Sequence, residues 1–235
     1  FCCWTQLQAA EDIVLFNYQQ KPPYIVDEAR HQGLYFDLAE RLNANLTAYH
    51  FVVREIPRKR LDYLLARDQL HGLVVGVSPD WFADASRHHW TQAFISDANL
   101  LVSRREGEVS RLSASSLDGH RLGLVSGHRY PGLKGVLRRG LVNRQDAASE
   151  EANLQRLMLG WIDATVMGVR TLEFHVQRQP ELRQQLYIAD PALYRYQRHL
   201  LVPADYAGLL PELNRVIAQL GQDSIWQASL ARYRE

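Results

Sequence analysis

Short apolar runs bounded by turn residues alternate along this chain with stretches whose apolar positions recur every three or four residues. Ile13-Val14-Leu15-Phe16 is rich in β-formers and reads as a strand. A loop from Asn17 to Lys21 leads to Pro22-Pro23, whose rings enforce an extended backbone. Tyr24, Ile25 and Val26 are therefore expected to form a second short strand. From Leu34 onward, Leu38 and Leu42, with Phe36 and Ala39 between them, mark one face of a helix. Thr47 to Ile56 reads as a strand, and Pro57 opens a helix whose Leu61, Leu64 and Leu65 face inward. Leu73 to Val77 is apolar but for Gly76, the pattern of a buried strand.

The rhythm repeats in the second half. Leu122 to Val125 reads as a strand, Ser126-Gly127-His128 as a turn and Pro131 to Arg139 as a short helix. Leu141 to Asn143 is a further expected strand, then Ala152 to Trp161 a helix, Ile162 to Met167 a strand and Val169 to Gln179 a helix. The tail from Tyr206 to Arg234 is helical, with a break near Gly221. Alternating strands and helices indicate an α/β fold with largely parallel sheets. Two further strands, Asn99 to Ser103 and His199 to Val202, flank the middle unit, as if the chain left one lobe there and returned.

Composition narrows the function classes. The 235 residues allow one large domain or two of about 100 to 150 residues each. With 46% hydrophobic and 23% charged residues, the chain can bury a core. The 27 basic and 26 acidic residues leave a net charge of +1, which is not the footprint of a nucleic-acid binder. Arg58-Lys59-Arg60, Arg104-Arg105 and Arg138-Arg139 read as solvated edges. No apolar run approaches the ~18 residues of a membrane span. Phe1 to Ala10 is uncharged, holds both cysteines and ends in Leu7-Gln8-Ala9-Ala10, like the tail of a secretory signal. Cleavage there predicts a periplasmic mature chain without cysteine, or a lipid anchor on Cys2 or Cys3.

The order of segments resembles the bacterial family-3 extracellular solute-binding proteins, the amino-acid type of periplasmic binding protein. The pieces that carry it are Pro22-Pro23-Tyr24, Gly33 to Ala39, Gly72 to Val77, and Trp90-Thr91-Gln92-Ala93-Phe94 before Asn99 to Val102. Ser116-Leu117-Asp118-Gly119 before Leu122 to Gly127, Gly160 to Ala164 and the closing Ile225-Trp226 complete them. The resemblance runs from Ile13 to Tyr233. It implies a type II two-lobed fold, with two α/β lobes joined by two hinge strands and closing on a ligand like a clamp. Lobe one would be residues 11–101 plus 202–235, and lobe two 104–198. It also implies a monomer without cofactor or metal, serving an inner-membrane ABC-type importer or a membrane sensor.

In such a fold the ligand lies beyond the carboxyl ends of the strands. Tyr18, Gln19 and Tyr24 follow the first strand, where aromatic rings can sandwich a flat ligand; Tyr24 can equally pack on its own lobe. Ser78, Asp80 and Trp81 follow the third strand and suit a polar ligand, unless Asp80 caps a helix. Ser126, His128 and Arg129 stand between a strand and a helix, where free amides and a guanidinium attract anions. Gly168 ends the Val-rich strand of the second lobe.

Two departures from the family pattern bear on the ligand. The family places a Thr and an Arg shortly after the third strand, to grip an α-carboxylate. Here Ser78 to Asp84 contains no Arg, and Arg87 lies three residues too close to Trp90. The family's acidic partner for the α-ammonium is replaced by Gly168. A desolvated zwitterion needs both charges met, so ordinary α-amino acids are expected to bind weakly. The sequence lacks Gly-x-Ser-x-Gly, H-E-x-x-H, Walker A and dinucleotide motifs, and its nine histidines are scattered. Binding rather than catalysis is expected. The rival is a dehydratase-like enzyme on the same fold, with His128, Asp80 or Asp84 as acid or base.

Overall fold

The computed structural model describes residues 10–233. Of the expected leader Phe1–Ala10, only Ala10 falls within that range, so the signal and lipid-anchor expectations lie outside the described residues. The first half builds one sheet. Strand β1 (Glu11–Asn17) leads into helix α1 (Leu34–Asn45), which is followed by β2 (Tyr49–Glu55), α2 (Arg58–Leu65) and β3 (Leu73–Val77). β1 pairs in parallel with both β2 and β3. All five β3 residues are buried, as expected of a strand covered on both faces. α1 turns Leu34, Leu38 and Leu42 into the core, the stripe its apolar spacing predicts.

After a two-residue strand β4 (His89–Trp90), the long strand β5 (Ile95–Arg104) crosses into a second sheet. That sheet is built from β6 (Arg121–Val125), α3 (Lys134–Arg138), β7 (Asn143–Ala147), α4 (Glu150–Met158), β8 (Ala164–Gly168) and α5 (Val169–Arg178). The short α6 (Leu182–Gln185) and β9 (Leu186–Ile188) complete it. β6 is parallel to β7 and β8, while β5 runs antiparallel to β8 and β9. The return strand β10 (Tyr194–Val202) pairs with β5 through residues 194–198 and with β3 and β4 through 199–202. The chain then ends on α7 (Leu210–Gln219) and α8 (Ser224–Arg232), whose Trp226 packs edge-on against Phe94 in the first core. The molecule is thus two α/β lobes joined by two crossing strands, β5 and β10.

Several elements depart from the expectation. Tyr24 to Val26 form no strand, because the N–H groups of Tyr24 and Ile25 both turn back to the carbonyl of Lys21. The strand expected at Leu141–Asn143 is displaced to Asn143–Ala147; this is a polar strand paired only with β6, so it carries little apolar signal. α4 starts at Glu150 rather than Ala152, since the hydroxyl of Ser149 accepts from the N–H of Ala152 and caps the helix. β4, α6 and β9 are too short to leave a period in the sequence. The sheets are mixed rather than largely parallel, because both crossing strands run antiparallel to their neighbours.

Candidate functional site

The loops after β1, β3 and β6 converge where the lobes meet. Tyr18, Gln19 and Lys21 come from the first loop, Trp81 from the second, and His128, Arg129 and Tyr130 from the third. Arg58 at the start of α2, Glu150 at the start of α4, Asn99 on β5 and Tyr196 on β10 complete the wall. Together they enclose a cavity of about 20 Å³, room for about one water molecule. The lobes touch across it. Lys21 Nζ donates to Glu150 Oε1 at 2.6 Å, and Thr171 Oγ1 donates to the carbonyl of Pro22 at 2.7 Å.

Beneath the cavity lies a fully buried polar cluster centred on Arg198. One guanidinium nitrogen donates to Gln19 Oε1 at 2.8 Å and to the carbonyl of Gly76 at 2.7 Å. The other reaches Asp97 Oδ2 at 3.2 Å and the Tyr196 hydroxyl at 3.1 Å. The guanidinium also lies 3.9 Å from the ring centre of Tyr24, a cation–π contact. Asp97 accepts in turn from the hydroxyls of Tyr24 and Tyr196. Burial alone would raise the Asp97 carboxyl. The Arg198 and Lys21 cations and the donated hydrogen bonds outweigh it and hold the group below its ordinary value.

The wall is predominantly cationic. Lys21, Arg58 and Arg129 face one carboxylate, that of Glu150. Arg58 is locked by three hydrogen bonds, to Asp62, the Tyr18 hydroxyl and the carbonyl of Trp81, and lies over the rings of Tyr18 and Phe82. Its side chain is 13% exposed, which corrects the reading of Arg58 as part of a solvated edge. Burial, reinforced by Lys21, Arg58 and Arg198 against Glu150, pushes His128 down to about 4, so it is neutral near pH 7. It meets the ring of Tyr18 edge-on across the lobes.

Of the residues singled out in the sequence, Tyr18, Gln19, Trp81, His128 and Arg129 line this cavity. Tyr24 does not; it is buried below, stacked on Tyr35. Ser78 is also buried and absent from the wall. Asp80 borders an adjoining hollow of about 540 Å³ with His128, Arg129, Lys134, Arg138 and Arg144, and it accepts from the Tyr194 hydroxyl. Ser126 is exposed, its N–H bonded to the Ala147 carbonyl. Gly168 donates its N–H to Glu150 Oε2 at 3.0 Å. A Cβ added there would stand 3.3 Å from both Lys21 Nζ and Asp97 Oδ2.

Sequence reasoning missed Lys21, Arg58, Asn99, Tyr130, Glu150 and Tyr196 in the wall, and Asp97 and Arg198 beneath it. A signal existed for two of them: Asp97 and Arg198 are charged residues inside strand-forming runs, which demands a buried partner. A larger hollow of about 560 Å³, formed mainly by α5, α6 and β9, shares no lining residue with the interlobe cavity. Among the described residues, no group of three His, Cys, Asp or Glu side chains is placed to hold a metal, and no helix is long and apolar enough to cross a membrane.

A scan against protein-family models finds no match, and a search of curated proteins finds none either. Solved structures do match. An ancestral arginine-binding protein bound to arginine aligns with a TM-score of 0.77 at 15% identity, over 97% of this chain and 100% of that one. The GluR0 ligand-binding core from Nostoc punctiforme in complex with L-glutamate gives 0.73 at 13%, over 94% and 98%. The substrate-binding protein of an amino acid ABC transporter gives 0.69 at 15%, over 94% and 98%. These neighbours are ligand-binding proteins, and at such identities the likeness establishes architecture. The chain has the two-lobed fold of the amino-acid-type periplasmic solute-binding proteins.

Proposed function

We propose that this chain is a periplasmic solute-binding protein that captures a small polar anion between its lobes and delivers it to an ABC-type importer. The observation that carries the reading is the wall of the interlobe cavity, where both lobes contribute and three cations face one carboxylate. Such a site focuses an anionic ligand and discharges part of its own repulsion on binding. The locked fork of Arg58 and the guanidinium of Arg129 suit a carboxylate or a comparable planar anion. The lobes open to admit the ligand, and closure buries it against Tyr18, Trp81 and Tyr196. The role is binding, not turnover, and the lobe limits are those of residues 11–101 with 202–235 and 104–198.

The test is mass spectrometry of what the natively purified protein retains. A small anion released on denaturation supports the reading, and its loss from an Arg58→Ala, Arg129→Ala double variant ties it to this wall. Delivery to an importer draws support from the fold shared with an ABC-transporter substrate-binding protein. The likeness to a ligand-binding core favours a second reading, presentation to a membrane sensor. Cross-linking in cells separates the two, yielding a permease in the first case and a receptor in the second.

A further inference from the structure

The Lys21 ammonium is misplaced for a surface lysine. It springs from a loop of the first lobe, yet its side chain is 7% exposed and it ends on a carboxylate of the second lobe that is itself 6% exposed. Lysine is almost never buried so deeply unless it is paired. Its partner Glu150 is fixed without it: Ser149 caps the helix that begins there, and the other Glu150 oxygen accepts the Gly168 N–H. The ammonium also lies toward Asp97, whose carboxylate it helps to hold ionised. The second lobe therefore carries a preorganised cation acceptor facing the cleft, and the first lobe fills it.

We propose that Lys21 is a specificity-determining residue: its tethered ammonium occupies the cation subsite of the cleft and excludes ligands that bring an ammonium of their own. This rests on the interlobe cavity being the ligand site. Lys21 Nζ already stands 2.6 Å from the Glu150 carboxylate, so a ligand ammonium would have to evict it or sit beside it. Two ammonium groups sharing one buried carboxylate leave a charge uncompensated, which is strongly unfavourable. An anion without an ammonium meets no such conflict and finds on the cavity wall the guanidinium of Arg129 and that of Arg58, which is held from outside the wall by Asp62. Rejection is thus built from a repulsive element rather than from weaker attraction.

The experiment empties the subsite. In Lys21→Ala, n-propylammonium chloride restores the missing part of the side chain, with sodium chloride as the ionic-strength control. The melting temperature of the variant is expected to rise with the amine and not with the salt, while the wild type responds to neither. The rise disappears in a Lys21→Ala, Glu150→Gln double variant. The same Lys21→Ala variant gains affinity for zwitterionic amino acids by roughly a hundredfold over the wild type. Should Lys21→Ala fold poorly, Lys21→Ser also empties the subsite and is expected to show the same gain. Acylation of the wild type adds an independent reading, because the chain has two other lysines, Lys59 and Lys134, both exposed. Lys21 is expected to react far more slowly than either. Absence of amine rescue, amino-acid binding by the wild type equal to that of the variants, or Lys21 reacting as fast as Lys59 would overturn the proposal. Rescue without any anion binding to the wild type would leave the subsite standing and remove the function proposed above.

Discussion

Asp97 and Arg198 form an ion pair at 3.2 Å in which neither side chain is accessible to solvent, and each sits on a different one of the two strands that join the lobes. Arg198 stands where β10 changes partners, from β5 in one sheet to β3 in the other, next to a register shift between His199 and Leu200. One guanidinium thereby binds the Asp97 carboxylate of β5, the Gly76 carbonyl of the first sheet and Gln19 of the loop after β1. The pair fixes the floor of the cleft to the strands on which the lobes would swing.

Removing one partner leaves the other charge buried and uncompensated. Arg198→Ala is expected to cost about 3–5 kcal/mol in urea unfolding. Arg198→Lys is expected to lose most of that too, since a single ammonium cannot span acceptors that a planar fork reaches together. An Arg198→Lys variant within about 0.5 kcal/mol of the wild type would contradict the role given to the fork.

Gly76 permits this arrangement. Its φ of +75 is a left-handed conformation that L side chains rarely adopt, and an added Cβ would overlap the phenol of Tyr35. The resulting backbone turn aims its carbonyl at Arg198. Gly76→Ala is expected to destabilise by more than about 2 kcal/mol, the backbone penalty and the clash adding. Gly208→Ala, where a Cβ meets nothing within 4 Å, serves as the control and is expected to stay within about 0.5 kcal/mol. Equal melting temperatures for the two variants would contradict this.

Acid acts through His128 first. The folded protein holds it down to about 4 against an ordinary 6.5, so between those values the unfolded chain takes up a proton that the folded one refuses. Stability is complete above 6.5 and declines as the pH falls toward 4. Asp97, held below its ordinary 3.8, adds a further decline below that value, because the unfolded carboxylate is protonated first. His175 and His88 are also lowered and share the first phase. His128→Gln is therefore expected to lose less stability than the wild type between pH 6.5 and 4, measured by urea unfolding at both. Parallel losses would show that His128 titrates freely in the folded protein.

The fold was legible because its elements announce themselves by apolar period. Leu34, Leu38 and Leu42 marked α1, and the run from Leu73 to Val77 marked β3. About half of the wall of the candidate site was legible because Tyr18, Trp81 and His128 stand in the loops that follow strands. The rest depends on contacts between residues far apart in the chain. Lys21 meets Glu150 across 129 positions and Arg198 meets Asp97 across 101, and no local pattern encodes either meeting. Tyr24 was open to two readings, a cleft wall or packing on its own lobe, and the turn at Lys21 sets its ring under the cavity against Tyr35, as in the second.

The most direct measurement is a thermal-shift panel of small mono- and dicarboxylates against the twenty amino acids and polyamines, repeated on Arg58→Ala and Arg129→Ala. A ligand at a hundred times its dissociation constant adds about 2.7 kcal/mol of stability, a readily measured shift. At least one carboxylate without an ammonium is expected to raise the melting temperature of the wild type, and either substitution is expected to abolish the rise. Stabilisation by a simple amino acid or a polyamine but by no such anion, or a shift that survives both substitutions, would contradict an anion-binding cleft between the lobes.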